Sequence, residues 1–268
     1  MKTLNILSTA LCLASALAFS SCSKETESVT TTEELSATEV NQIKQLGFST
    51  SGASKTDGGY LVEGDIFLTK ENLASPSPAQ LLRVGDEEQY RTTNLVNAGS
   101  GRTITVAVST SLPSAYVTAT DEAIRRYNAE NLSLRFTRVA SGANITLQQA
   151  PRSARYLASG GFPSGGNPYY QVLINSNAIG TANPSTYIAT ILAHEIGHCI
   201  GFRHTDYMNR AYSCGGAYSN EGASTVGAIL IPGTPSAADP NSWMLACIGS
   251  GVNRPFNSND RTALNYLY

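Results

Sequence analysis

The chain has 268 residues, 41% of them apolar and 14% charged, with a formal net charge of −2. That length allows one good-sized domain with its own core and a smaller appendage. The near-neutral balance excludes a nucleic-acid partner, which would need a concentrated basic face.

Behind Lys2, residues Leu4 to Phe19 form an apolar run that is too short, and too closely followed by polar residues, to span a membrane. Residues 1–21 read as a secretion signal. Its end, Phe19-Ser20-Ser21-Cys22, resembles the processing site of bacterial lipoproteins, although Phe19 stands where leucine is usual. That resemblance implies acylation of Cys22 and a protein anchored in the bacterial cell envelope, facing away from the cytoplasm. Cleavage after Ala18 would instead leave a secreted protein. Cys12 departs with the signal. Cys199, Cys214 and Cys247 then sit in an oxidising compartment, enough for one disulfide and one free thiol, with three pairings open.

Residues 22–37, rich in Ser, Thr and Glu and without periodicity, read as a flexible tether. In residues 38–101, Val40, Ile43 and Leu46 show helical spacing, and Tyr60-Leu61-Val62 and Ile66-Phe67-Leu68 flank Glu63-Gly64-Asp65. The apolar content is small for an independent domain. Asn97 to Gly101 reads as a linker.

From residue 102 the pattern is dense. It predicts a strand over 103–108, a helix over 115–128, strands over 132–139 and 144–147, an edge-like stretch at 154–158, a glycine-rich loop at 160–166 and a strand over 169–174. A second helix starts at Asn183-Pro184, with Asn183 as its cap and Pro184 in the first turn. A short helix closes the chain over 259–268, capped by Ser258 or Asn259. The fold class is therefore α/β (α+β), with one twisted mixed sheet against two helices and a C-terminal subdomain. Within the poorly legible stretch 207–235, Ile231 to Pro235 is expected to shape one wall of a cleft.

The chemistry is concentrated in Ala193-His194-Glu195-Ile196-Gly197-His198-Cys199-Ile200-Gly201-Phe202-Arg203-His204. Histidines four apart on a helix lie about 40° from each other and can grip one zinc ion. Glu195, turned about 100° from His194, leaves the ligand set but stays near the metal. Gly201 can take positive φ and end the helix, so that His204 returns as third ligand. Three protein ligands leave a fourth position for water, as catalysis requires. The chain has three histidines, and all three fill these positions.

This pattern resembles the metzincin zinc peptidases, and His194-Glu195-Ile196-Gly197-His198 is similar to the dual-action HEIGH metallopeptidases. The resemblance spans residues 102–268. It implies one catalytic zinc on His194, His198 and His204, Glu195 as general base, and protein or peptide substrates. It also implies a methionine turn, for which Met244 is the candidate. Some metzincins carry a tyrosine two residues after that methionine; here the position is Ala246, and no tyrosine takes over the oxyanion role by sequence. Val62-Glu63-Gly64-Asp65-Ile66 is similar to a motif in astacin-type propeptides whose aspartate blocks the zinc. It implies a latent zymogen with Asp65 as latency ligand and residues 38–101 as a removable pro-segment. The competing reading is a plain hairpin turn. A cysteine-based latency device is excluded, since no cysteine lies between residues 23 and 198. The expected product is a monomeric, envelope-anchored zinc endopeptidase. The alternative is a lipid-anchored, zinc-containing binding or adhesion module without protease activity.

Overall fold

The computed structural model describes residues 34–46, 48–74, 89–223, 226–235 and 238–268. The signal sequence, Cys12, Cys22 and most of the expected tether lie outside the described residues. Everything described belongs to one compact unit, Glu33–Tyr268.

The chain begins with helix α1 (Ala37–Gln45), started by a reciprocal cap in which Glu39 N–H donates to Ser36 Oγ and Ser36 N–H donates to Glu39 Oε2. Strands β1 (Ser54–Thr56), β2 (Gly59–Val62) and β3 (Ile66–Thr69) then form an antiparallel meander, followed by the short helix α2 (Lys70–Ala74). The modest apolar content suffices for a small separate core, in which Ile43, Phe48, Val62, Ile66, Leu68 and Leu73 are buried together. Val62 pairs with Ile66, so Glu63-Gly64-Asp65 is the hairpin loop. Glu63 and Gly64 both take positive φ, 53° and 91°. Gly64 can do so without cost, and the turn swings Asp65 away from the meander.

The main sheet is assembled from β5 (Arg102–Val108), β6 (Leu134–Val139), β7 (Ile145–Gln149), β8 (Ala158–Ser159) and β9 (Gln171–Ile174), after a two-residue β4 (Tyr90–Arg91) that lies elsewhere. Its order is β6-β5-β7-β9-β8, parallel throughout except for β8, which runs antiparallel along the edge. Helix α3 (Ser114–Ala129) lies between β5 and β6 in the chain. Helices α4 (Ser176–Ile179) and α5 (Ser185–Ile200) follow β9, then α6 (Ala211–Cys214), β10 (Ile229–Leu230) and α7 (Ser258–Leu267). Helices α3 and α5 pack on one another within the large core, and the Tyr127 hydroxyl donates to Ala193 O at 2.7 Å. Every residue of α5 from Tyr187 to Ile200 is buried. A helix enclosed on all sides is rigid enough to hold ligands at fixed geometry.

Three local expectations are corrected, and one pairing has no counterpart in the sequence reading. Pro184, not Asn183, occupies the cap position of α5, and no side chain caps it. The Asn183 amide instead donates to Ser250 Oγ at 3.2 Å. Helix α7 starts one residue earlier, on Ser258, and is capped by Asn257, whose side chain accepts from Asn259 N and Asp260 N while the Asp260 carboxylate accepts from Asn257 N. Ile231 is fully buried in the core, so 231–235 is no wall of the cavity described below. Finally, β4 pairs with β10, a ladder that two-residue strands cannot announce by periodicity. Around it Arg203 N donates to Tyr90 O, Thr92 N to Gly201 O and Gln89 Nε2 to Asp260 Oδ1, so 89–92 is woven into the surroundings of α5.

Of the three open cysteine pairings, the fold forms Cys214–Cys247 and leaves Cys199 free and buried. Closing a loop over a separation of 33 residues stabilises by about 3–4 kcal/mol in the chain-entropy account. It also fixes α6 to the segment after Met244.

Candidate metal centre

Helix α5 ends at Gly201, at φ 114°, where its N–H donates to Gly197 O and His198 O. A Cβ there would stand 2.7 Å from Leu95 Cδ2 and 3.2 Å from Asn94 O, so only glycine lets the chain reverse this close to its neighbour. The reversal brings His204 back to His194 and His198. His198 Nε2 lies 3.2 Å from His204 Nε2. Asp65 Oδ2 lies 3.0 Å from His204 Nε2 and 3.7 Å from His194 Nε2. Donor atoms of all four residues fall within 4.8 Å of one another.

The opposite ring nitrogens settle which atoms face inward. His194 Nδ1–H donates to Trp243 O at 2.8 Å and His198 Nδ1–H to Phe202 O at 2.9 Å. A carbonyl only accepts, so both Nε2 lone pairs point at the shared centre. His204 Nδ1–H donates to Glu221, 2.9 and 3.0 Å from its two oxygens. Three imidazoles held in this way are a zinc donor set. Zinc–nitrogen bonds of about 2.0–2.1 Å imply donor-to-donor edges of about 3.3 Å in a tetrahedron; three of the six edges, at 3.0, 3.2 and 3.7 Å, bracket that value, and the others stay within 4.8 Å. Burial alone would lower the His204 pKa, yet Asp65 and then Glu221 hold it well above the usual histidine range. The field that favours a proton there favours a metal cation.

The dual-action HEIGH metallo-peptidase family matches this chain over residues 60–268, a span that takes in the Asp65 turn and all three histidines. The chain belongs to that family. Among solved structures it is similar to two of myroilysin. One aligns at 15% identity with a TM-score of 0.42, covering 63% of this chain and 81% of that one. The other aligns at 16% identity with a TM-score of 0.38, covering 61% and 81%. A search of curated proteins found no match.

This HEIGH metallopeptidase is thus a zinc peptidase with a buried Asp/His/His/His group able to take one metal ion. Beneath the group lies the turn around Met244. Its Trp243 O is the acceptor for His194, Thr205 N donates to Met244 O, and Asp260 accepts from Ser242 Oγ and Trp243 N. Gly197 is the reason the turn can approach α5. A Cβ there would sit 2.6 Å from Met244 Sδ and 3.2 Å from Trp243 Nε1. The glycine of the HEIGH stretch therefore serves packing between helix and turn.

Glu195 is buried, its Oε2 lacks a hydrogen-bond partner, and burial followed by repulsion from Asp65 pushes its pKa well up. It opens on a cavity of about 320 Å³ shared with His194 and Asp65 and walled by Leu157, Ile191, Leu245 and Ile248. Ala246 also lines this cavity and, having no hydroxyl, brings no donor to it.

Sequence reasoning missed Glu221 and the two arginines that hold it. Arg210 lies 3.1 Å from its Oε1 and the fully buried Arg203 lies 3.8 Å from its Oε2. One signal was present: Glu221 is the only charged residue between Arg210 and Asp239. A carboxylate behind a metal-ligating histidine fixes its tautomer and raises its basicity. Glu221→Gln is expected to weaken zinc binding by about 10- to 100-fold without unfolding the protein. Competition against a calibrated chelator, beside a thermal melt, measures this; unchanged affinity would count against a supporting role for Glu221.

Proposed function

We propose that this HEIGH peptidase is an endopeptidase made as a latent zymogen, exported and held at the cell envelope through Cys22, with Asp65 blocking the metal until the pro-segment is released. The observation that carries the latency reading is Asp65 Oδ2 at the fourth corner of the histidine group, 3.0 Å from His204 Nε2. Two further contacts support it. Phe67 N donates to Gly160 O and Gly160 N donates to Asp65 O, so the segment after the turn occupies the strand edge that an extended substrate would use. Glu63 Oε2 lies 2.9 Å from Arg203, with both side chains fully buried, which clamps the other side of the turn. The hairpin and the latency readings of Glu63-Gly64-Asp65 are therefore compatible: the hairpin is the device that delivers the carboxylate.

Zinc bound to the three histidines supplies Lewis acidity for the scissile carbonyl and makes water nucleophilic near neutral pH. Glu195 takes the proton of the attacking water and returns it to the leaving amine. Its burial and repelled charge suit a base that must hold a proton briefly. Gln89, Tyr90 and Thr92 hydrogen-bond to the body around α5, so the released piece ends ahead of Gln89 rather than at residue 101. Substrates are proteins or peptides, and the protein acts as a monomer.

The test compares zinc-loaded full-length protein with a chain beginning at Gln89 on an unfolded protein substrate. The shortened form is expected to cleave and the full-length form to be far slower. Zinc binding at one equivalent with no cleavage by either would favour the binding-module reading.

A further inference from the structure

The cavity beside Glu195 contains a donor without an acceptor. The Tyr156 hydroxyl is buried and has no hydrogen-bond partner, although Tyr156 lines the same cavity as His194, Glu195 and Asp65. An unpaired buried hydroxyl is costly, and a catalytic role is one of the few reasons for a native structure to keep one. Two acceptors in the same cavity are orphaned with it, Asp65 Oδ1 and Glu195 Oε2. The Asp65 carboxylate, planar and seated against the histidines, leaves its second oxygen unpaired on the cavity side of the group.

Among the other donors that line the cavity, Thr190 Oγ1 is spent on Thr186 O, and Arg155 is an exposed side chain whose guanidinium stays hydrated rather than buried beside Glu195. Trp243 also lines the cavity and its Nε1 is unpaired, but that nitrogen lies 3.2 Å from the ideal Cβ position of Gly197 and so faces α5. The unpaired Tyr169 hydroxyl belongs to a residue that lines a different cavity. Arg210 is engaged by Glu221, and Arg254 donates to Cys247 O. Ala246 leaves the turn after Met244 without a hydroxyl of its own.

We propose that Tyr156 is a catalytic residue whose hydroxyl donates a hydrogen bond to the oxyanion that develops on the scissile carbonyl. The inference rests on the peptidase reading above. As the water oxygen bonds to the carbonyl carbon, the carbonyl π pair moves onto its oxygen, and the phenol O–H points at that charge. When the C–N bond breaks, the pair returns and the hydrogen bond relaxes. Tyr156 keeps its own proton throughout, while the water proton travels through Glu195 to the amine. Burial and then the Glu195 charge push the Tyr156 pKa up to about 12, which keeps it a donor at neutral pH.

The experiment is Tyr156→Phe in the zinc-loaded full-length chain carrying Asp65→Ala. With the peptidase active, kcat is expected to fall about 100-fold while KM moves less than about twofold. Affinity for a phosphonamidate peptide, which mimics the tetrahedral state, should fall by a similar factor in calorimetry, with affinity for the product peptide unchanged. Zinc affinity should hold, and the melting temperature should stay level or rise, because an unpaired hydroxyl has been removed. Unchanged kcat and unchanged phosphonamidate affinity would overturn the proposal, and so would a loss matched by lower zinc affinity or a lower melting temperature. If Asp65→Ala cleaves nothing, the peptidase or latency reading fails separately, and the phosphonamidate affinities still decide the role of Tyr156.

Discussion

Asp65→Ala in the full-length, zinc-loaded chain is expected to raise cleavage of an unfolded protein by about 100-fold. A ligand contact worth about 3 kcal/mol, at 1.4 kcal/mol per decade, shifts the population of the open site by that factor. The contact is well built. Asp65 is buried, its Oδ2 faces two histidines, and the turn that delivers it needs Gly64 at φ 91°. A Cβ on Gly64 would stand 2.5 Å from the Arg210 guanidinium, so the turn is packed as well as bent. Activation should nevertheless be partial. Glu63 still binds Arg203, and the backbone of Phe67 still pairs with Gly160, so the strand edge remains covered. The rates of full-length wild type, Asp65→Ala and the chain from Gln89 should rise in that order. Equal rates for the first two would remove Asp65 as the latency ligand while leaving the peptidase reading intact.

Glu195→Gln should abolish turnover, with a fall of about 10³- to 10⁴-fold in kcat in the chain from Gln89. Zinc should still bind at one equivalent, since Glu195 is not among the four residues whose donors converge. Stability supplies the control. Burial and the Asp65 charge disfavour ionised Glu195, so a neutral isostere should melt at the same temperature or higher in the full-length chain. Lost activity with retained zinc and undiminished stability is the signature of a group that acts on the reaction. Loss of zinc with the activity would make Glu195 a structural element of the site.

Both outcomes bear on a site made from distant parts of the chain. Asp260, on the C-terminal helix, accepts from Gln89, Ser242 and Trp243, and Trp243 O in turn orients His194. The cap of α7, the turn at Met244 and the histidine group are thus one connected structure. Damage to any part of it should be felt at the metal.

The sequence alone determined what is local and periodic. Histidines spaced by four on a helix, a glycine free to take positive φ, and a third histidine just beyond it define the ligand set, because helix geometry converts spacing into direction. β-Branched runs were enough to find strands of the main sheet, and the helical spacing from Tyr116 to Tyr127 was enough to find α3; that the strands run parallel was not legible there. The structure decided what depends on loop closure. The carboxylate at the fourth corner lies 139 residues before His204 and was reached from the sequence only through the likeness of Val62 to Ile66 to a propeptide motif; the tyrosine in the cavity lies on the edge stretch, and the Cys214–Cys247 pairing crosses 33 residues. Glu221 reaches His204 from a loop with no repeating pattern, and β4 finds β10 through two residues. No local code specifies such meetings. They follow from how the core packs, because burying α5 on all sides forces the flanking loops to converge over its histidines.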